Sequence, residues 1–123
     1  ALSNGKLGAT GFCYGGAVVN ALAVQMGAEL NAGAPFYGRA PKSEDVAKIK
    51  ASLVINLADD DPRTNAGQPG YKAALEANRV NFEMHTYPGT RHGFHNTSTP
   101  RFNEAQANIA WDRTIALFKK SLA

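Results

Sequence analysis

A chain of 123 residues with 44% hydrophobic and 19% charged residues has the proportions of one globular domain, too apolar for a disordered chain and not apolar enough for a membrane protein. No apolar run approaches the roughly 20 residues of a membrane span, and a single cysteine excludes an internal disulfide framework and a cysteine-based zinc site. The net charge of +3 comes from scattered residues whose longest basic run is Lys119-Lys120, with no aromatics interleaved among arginines, so nucleic acid is not an expected partner.

The chain opens at Ala1-Leu2-Ser3 without a methionine, which fits a piece of something longer. Leu7 to Phe12 is a short strand that runs into a glycine-rich turn, Gly11-Phe12-Cys13-Tyr14-Gly15-Gly16. Ala17 to Met26 is apolar nearly all round, the pattern of a helix packed between other elements. A second strand is expected over Leu30 to Ala34, stopped by Pro35, followed by loop to Pro41 and a short helix over Glu44 to Lys50 capped by Ser43. Ser52 to Ala58 is the clearest strand, a near-continuous apolar run of the kind covered on both faces. It ends in the acidic turn Asp59-Asp60-Asp61-Pro62.

Helical spacing covers Pro69 to Arg79, and alternation predicts a strand over Val80 to Tyr87, closed by Pro88. A polar loop from Gly89 to Thr99 leads to a last helix, Glu104 to Ser121, capped by Asn103. Its expected core stripe is Trp111, Ile115, Phe118 and Leu122, preceded by Ile109. Strands alternating with helices argue for an α/β fold with about four parallel strands flanked by helices.

In a parallel sheet all strand C-termini share one edge, and ligands bind there. That edge receives Cys13 after the first strand, the Asp59, Asp60, Asp61 cluster after the third, and His92 after the fourth. A nucleophile, a base and an acid that orients the base are the parts of a catalytic triad, here in the chain order of α/β-hydrolases. Gly11-Phe12-Cys13-Tyr14-Gly15 has the Gly-x-nucleophile-x-Gly form of a nucleophile elbow. A helix N-terminus biases such a cysteine toward thiolate. Asp61 is the preferred acid, with Asp59 and Asp60 as rivals. His95 reads as a structural or surface histidine, and His85 falls inside a strand. His92 and His95 lack a third strong ligand nearby, so no metal is expected.

These stretches resemble the dienelactone hydrolase family of α/β-hydrolases. The resemblance rests on Gly11 to Gly16, on Asn56-Leu57-Ala58-Asp59-Asp60-Asp61 with Arg63 and Asn65, on Met84 to Asn96 with its His92-Gly93-Phe94, and on Ala110-Trp111-Asp112-Arg113-Thr114. It implies a cysteine nucleophile at Cys13, an acid at Asp61, a base at His92 and an oxyanion donor in the Tyr14 N–H. It implies a small ester or lactone as substrate and no cofactor. The aromatics Phe12, Tyr14, Phe36, Tyr37 and Phe94 are candidates to line an apolar pocket.

The resemblance covers only the C-terminal half of the family's domain, whose elbow follows about the fifth of eight strands. A second oxyanion donor and a basic residue for a substrate carboxylate would come from the earlier half. An open edge on the first strand then predicts a homodimer, or association with an N-terminal half. The non-enzymatic readings are an inactive fragment that folds and dimerises, and a redox-responsive thiol protein. With its one cysteine the chain is compatible with a reducing, cytoplasmic setting.

Overall fold

The computed structural model describes residues 4–123, so the opening Ala1-Leu2-Ser3 lies outside the described residues. Four parallel strands form one sheet in the order β1 (Gly8–Phe12), β2 (Ala32–Phe36), β3 (Ser52–Asp60) and β4 (Phe82–Arg91). The helices are α1 (Tyr14–Met26), the one-turn α2 (Pro62–Asn65), α3 (Gln68–Ala77) and α4 (Glu104–Leu122). Residues Ser43–Lys48 are 3₁₀ rather than α-helical, with Lys42 and not Ser43 at the cap. Asn103 caps α4 as expected, its side chain accepting from Gln106 N–H.

Successive residues of a strand point to opposite faces, and β3 sorts the helices accordingly. Leu53, Ile55 and Leu57 join Ala23 of α1 and Tyr71 and Leu75 of α3 in one aliphatic cluster. Ala58 joins Phe36, Tyr37, Tyr87 and Phe94 in a second cluster closed by Ala107 and Ala110 of α4. Thus α1 and α3 cover one face and α4 the other.

Three strands outrun their expected ends, β3 by two residues to Asp60 and β2 and β4 through a proline. Pro35 does not stop β2; it is buried and pairs with Gly11 of β1. A proline offers no N–H to a sheet ladder. The β2–β3 pairing accordingly runs through Ala32 and Gly33 and resumes only at Phe36, while the Asn56 side-chain amide donates to Pro35 O at 3.5 Å. Pro88 does not end β4 either. β4 is an edge strand, where proline is tolerated. A register shift between Ala58 and Asp60 absorbs the extra residues before Arg91 pairs with Asp60. Thr90 holds this bulge: its hydroxyl donates to Tyr87 O at 2.6 Å and accepts from Asp59 N–H at 3.1 Å.

The stripe expected on α4 is corrected in the same way. Its buried residues are Ala107, Ala110 and Thr114, whereas Ile109 and Trp111 are 41% and 38% exposed. Small residues occupy the buried line because rings on the sheet already fill that space. Phe118 and Leu122 are half-buried, close over Gly8 of β1.

Candidate active site

The turn from β1 to α1 forms the first part of the site. Cys13 sits at the helix N-cap with φ 58 and ψ −119, a left-handed backbone conformation that a cysteine adopts only under constraint. Close packing supplies the constraint. A Cβ on Gly11 would lie 2.4 Å from Gly15 O, and one on Gly16 would lie 2.5 Å from Phe36 O. Cys13 N–H donates to Phe36 O at 3.1 Å, tying the elbow to the end of β2. Helix α1 therefore starts three residues earlier than expected, with Cys13 exposed at its head. Tyr14 is the first helical residue, so its N–H belongs to the group that a helix leaves without intrahelical partners.

Asp61 follows β3 directly and caps α2, its Oδ1 accepting from Thr64 N–H at 3.4 Å. It is 7% exposed. Its other oxygen, Oδ2, accepts from His92 Nδ1–H at 2.6 Å. His92 directly follows β4, so the bulge at Pro88–Thr90 sets its position above Asp61. The neighbouring aspartates go elsewhere. Asp60 pairs within the sheet opposite Arg91, and Asp59 accepts from Gly89 N–H at 3.4 Å.

Cys13 and His92 line one cavity of about 290 Å³ together with Tyr14, Ala17, Tyr37, Arg39 and Thr64. Among the described residues no hydrogen bond joins Cys13 Sγ to His92. Of the aromatics considered as pocket lining, Tyr14 and Tyr37 serve, while Phe12, Phe36 and Phe94 are not among the lining residues. The Tyr37 ring lies 4.8 Å from the His92 ring, and burial pushes its hydroxyl up to about 12.

The surroundings of Cys13 work against the thiolate bias expected of a helix N-terminus. Burial, then the Asp61 carboxylate, push the thiol above its ordinary value, and the Arg101 guanidinium opposes them only in part. A helix N-terminus favours the anion locally, whereas desolvation and a nearby carboxylate favour the protonated thiol.

The other histidines lie apart. His95 stacks on Phe12 at 4.9 Å and tilts against Trp111 at 5.6 Å, with burial lowering its affinity for a proton. His85 Nε2 lies 2.8 Å from Glu83. Among the described residues no group of three or more histidine, cysteine, aspartate or glutamate side chains is placed to hold a metal, and no helix is long and apolar enough to cross a membrane.

Sequence reasoning named Arg63 and Arg91 within matching stretches but assigned the arginines no role. Arg39, Arg63, Arg91 and Arg101 line a cleft of about 570 Å³ that shares His92, Arg39 and Thr64 with the Cys13 cavity. The sequence signal for the group is that each lies between an expected strand end and the next expected helix, on the same rim.

Residues 1–122 match the sequence model of the dienelactone hydrolase family. The chain is 32% identical over 116 residues to a provisionally named carboxymethylenebutenolidase of Saccharolobus solfataricus, covering 94% of this chain and 44% of that protein. It is 30% identical over 120 residues to Protein usf of Aquifex pyrophilus, covering 95% and 52%. The chain thus spans about half the length of these curated relatives. A provisionally identified dienelactone hydrolase of Klebsiella pneumoniae superposes with a TM-score of 0.84 at 24% identity, over 93% of this chain and 52% of that one, a likeness of fold.

Proposed function

The chain belongs to the dienelactone hydrolase family, and from that premise we propose that it carries the C-terminal, triad-bearing part of a cysteine-dependent hydrolase of a small ester or lactone. The observation that carries the reading is the 2.6 Å hydrogen bond between Asp61 and His92, with His92 and Cys13 in one cavity.

In this reading Asp61 engages Nδ1 of His92, which leaves Nε2 to take a proton. Because partial burial and Asp61 raise the affinity of the Cys13 thiol for its proton, proton transfer to His92 accompanies attack. The sulfur bonds to the carbonyl carbon, and the carbonyl electron pair moves to oxygen, where the Tyr14 N–H donates to it. Collapse expels the alkoxide, which takes the proton from His92. Water, deprotonated by His92, then cleaves the thioester and releases the acid and the free thiol. The proposal requires no metal or organic cofactor.

The test is turnover of p-nitrophenyl acetate by the full chain and by Cys13→Ala. Turnover that exceeds buffer and vanishes in the variant supports the reading. Turnover that survives Cys13→Ala overturns the cysteine nucleophile, and no turnover at all overturns the reading in favour of a folded but inactive chain.

The partner proposal rests on β1. It is an edge strand, and its last residue Phe12 is exposed, as are Leu7 just before it and Tyr14 at the head of α1, Tyr14 by 84%. Open apolar edges pair with other chains. We propose a homodimer, or pairing with an N-terminal half of the family's domain. A monodisperse monomer by size exclusion with light scattering would sink the homodimer. A cytoplasmic setting suits the proposal, because reducing conditions keep a lone thiol free.

A further inference from the structure

Four of the chain's six arginines lie around one cleft, and none of its seven lysines does. Arg39 comes from the segment after β2, Arg63 from α2, Arg91 from the end of β4 and Arg101 from the loop before α4. All four are exposed. Among the described residues none of them forms an ion pair. Two carboxylates line the same cleft, and Asp61 is already engaged by His92, which leaves Asp60 to face the guanidinium groups.

Gathering four cations with one free carboxylate costs like-charge repulsion unless an anion offsets it. The choice of arginine is informative. Its planar fork matches carboxylate and phosphate oxygens in pairs, where lysine offers only a point charge. The position is informative too, since Arg39, Thr64 and His92 form a shared wall between this cleft and the Cys13 cavity. A ligand in one can extend into the other. Arg101 is also within electrostatic reach of the thiol.

We propose that this cleft binds a dianionic group, a phosphate monoester or a pair of carboxylates, carried by the substrate whose ester carbonyl meets Cys13. The substrate assignment rests on the hydrolase reading; the anion site itself does not. Its charge balance, four guanidinium groups against Asp60 and an occupied Asp61, fits two negative charges better than one.

Titration of the ¹⁵N-labelled full chain with inorganic phosphate, succinate and acetate, at one pH and constant ionic strength, tests this directly. The expected result is that phosphate or succinate binds at least about tenfold more tightly than acetate, with shifts at Arg39, Arg63, Arg91 and Arg101. Phosphate ahead of succinate identifies a single phosphate, and the reverse identifies two carboxylates. Arg91→Gln and Arg101→Gln should each weaken dianion binding roughly tenfold, as expected for losing one charged hydrogen-bond partner. Arg79→Gln removes the same charge between α3 and β4, at the opposite end of the sheet, and should change nothing. Acetate binding as tightly as the dianions overturns the proposal, as does equal weakening by Arg79→Gln and Arg91→Gln. Cys13→Ala separates the two readings, because it should retain dianion binding while abolishing turnover. Retained binding with no turnover in either protein would sink the hydrolase reading alone; turnover without dianion preference would sink the cleft alone.

Discussion

The two faces of the sheet are built from different chemistry. Beneath α1 and α3 the contacts are mostly aliphatic, with Leu53, Ile55, Leu57 and Leu75 at the centre. A buried polar pair there is joined directly: Tyr71 OH donates to Asn20 Oδ1 at 2.9 Å. Beneath α4 the contacts are aromatic and polar. Tyr87 OH donates to buried Asn56 Oδ1 at 2.7 Å, and Arg113 lies over the Tyr87 ring at 5.4 Å. This second face continues through Phe36, Tyr37 and Phe94 to the rim that carries Cys13, Asp61 and His92. Aliphatic contacts are non-directional and give stability. Rings with a hydroxyl, and amides with two roles, give direction, which is what a site needs from the layer beneath it.

If the rim owns the chemistry and the aliphatic face owns the stability, the largest effects should separate cleanly. Cys13→Ala and His92→Ala should each lower ester turnover by on the order of 10⁶, the scale seen when a triad nucleophile or base is removed, with the thermal midpoint nearly unchanged. An equal fall in both would break the comparison.

Asp61→Asn should cost about 10⁴ in turnover. It should also move the thiol. Asp61 raises the affinity of Cys13 for its proton, so removing its charge should shift the pH profile of iodoacetamide alkylation downward. The wild-type profile should inflect above that of an ordinary thiol, about 8.5. A wild-type profile at or below that value would contradict the burial and charge arrangement described above.

Leu75→Ala should cost about 2–5 kcal/mol of stability by denaturant titration, with the alkylation profile of Cys13 unchanged. Tyr87→Phe should cost less, about 1–3 kcal/mol, by leaving Asn56 Oδ1 unpaired in a buried site. Its distinguishing signature should be an altered alkylation rate at Cys13, because Tyr87 packs with Phe36 and Tyr37 under the rim. If Leu75→Ala perturbed the thiol more than Tyr87→Phe, the roles assigned to the two faces would be reversed.

Much of this was legible in the chain itself. The apolar run at Leu53 to Leu57, the glycine-flanked Cys13 and the Asn103 cap depend on neighbours within a few residues, where propensity and hydrogen-bond chemistry act directly. Four strands alternating with helices, and the rim that collects Cys13, the acidic turn and His92, follow from that alone. What only the tertiary structure decided depends on partners far along the chain. Pro35 lies within a strand because the β3 ladder breaks opposite it and Asn56 supplies a donor. Asp61, rather than Asp59 or Asp60, meets His92 because β3 runs to Asp60 and the β4 bulge sets where the histidine lands. The buried line of α4 runs through alanines because rings from β2 and β4 already occupy the space. The thiol is pushed toward its protonated form because partial burial and a carboxylate 48 positions away act through space. The arginine cleft is assembled from four segments that no local pattern connects. Local preference falls off within a turn or two of chain, whereas charge, burial and packing act on whatever the fold brings near.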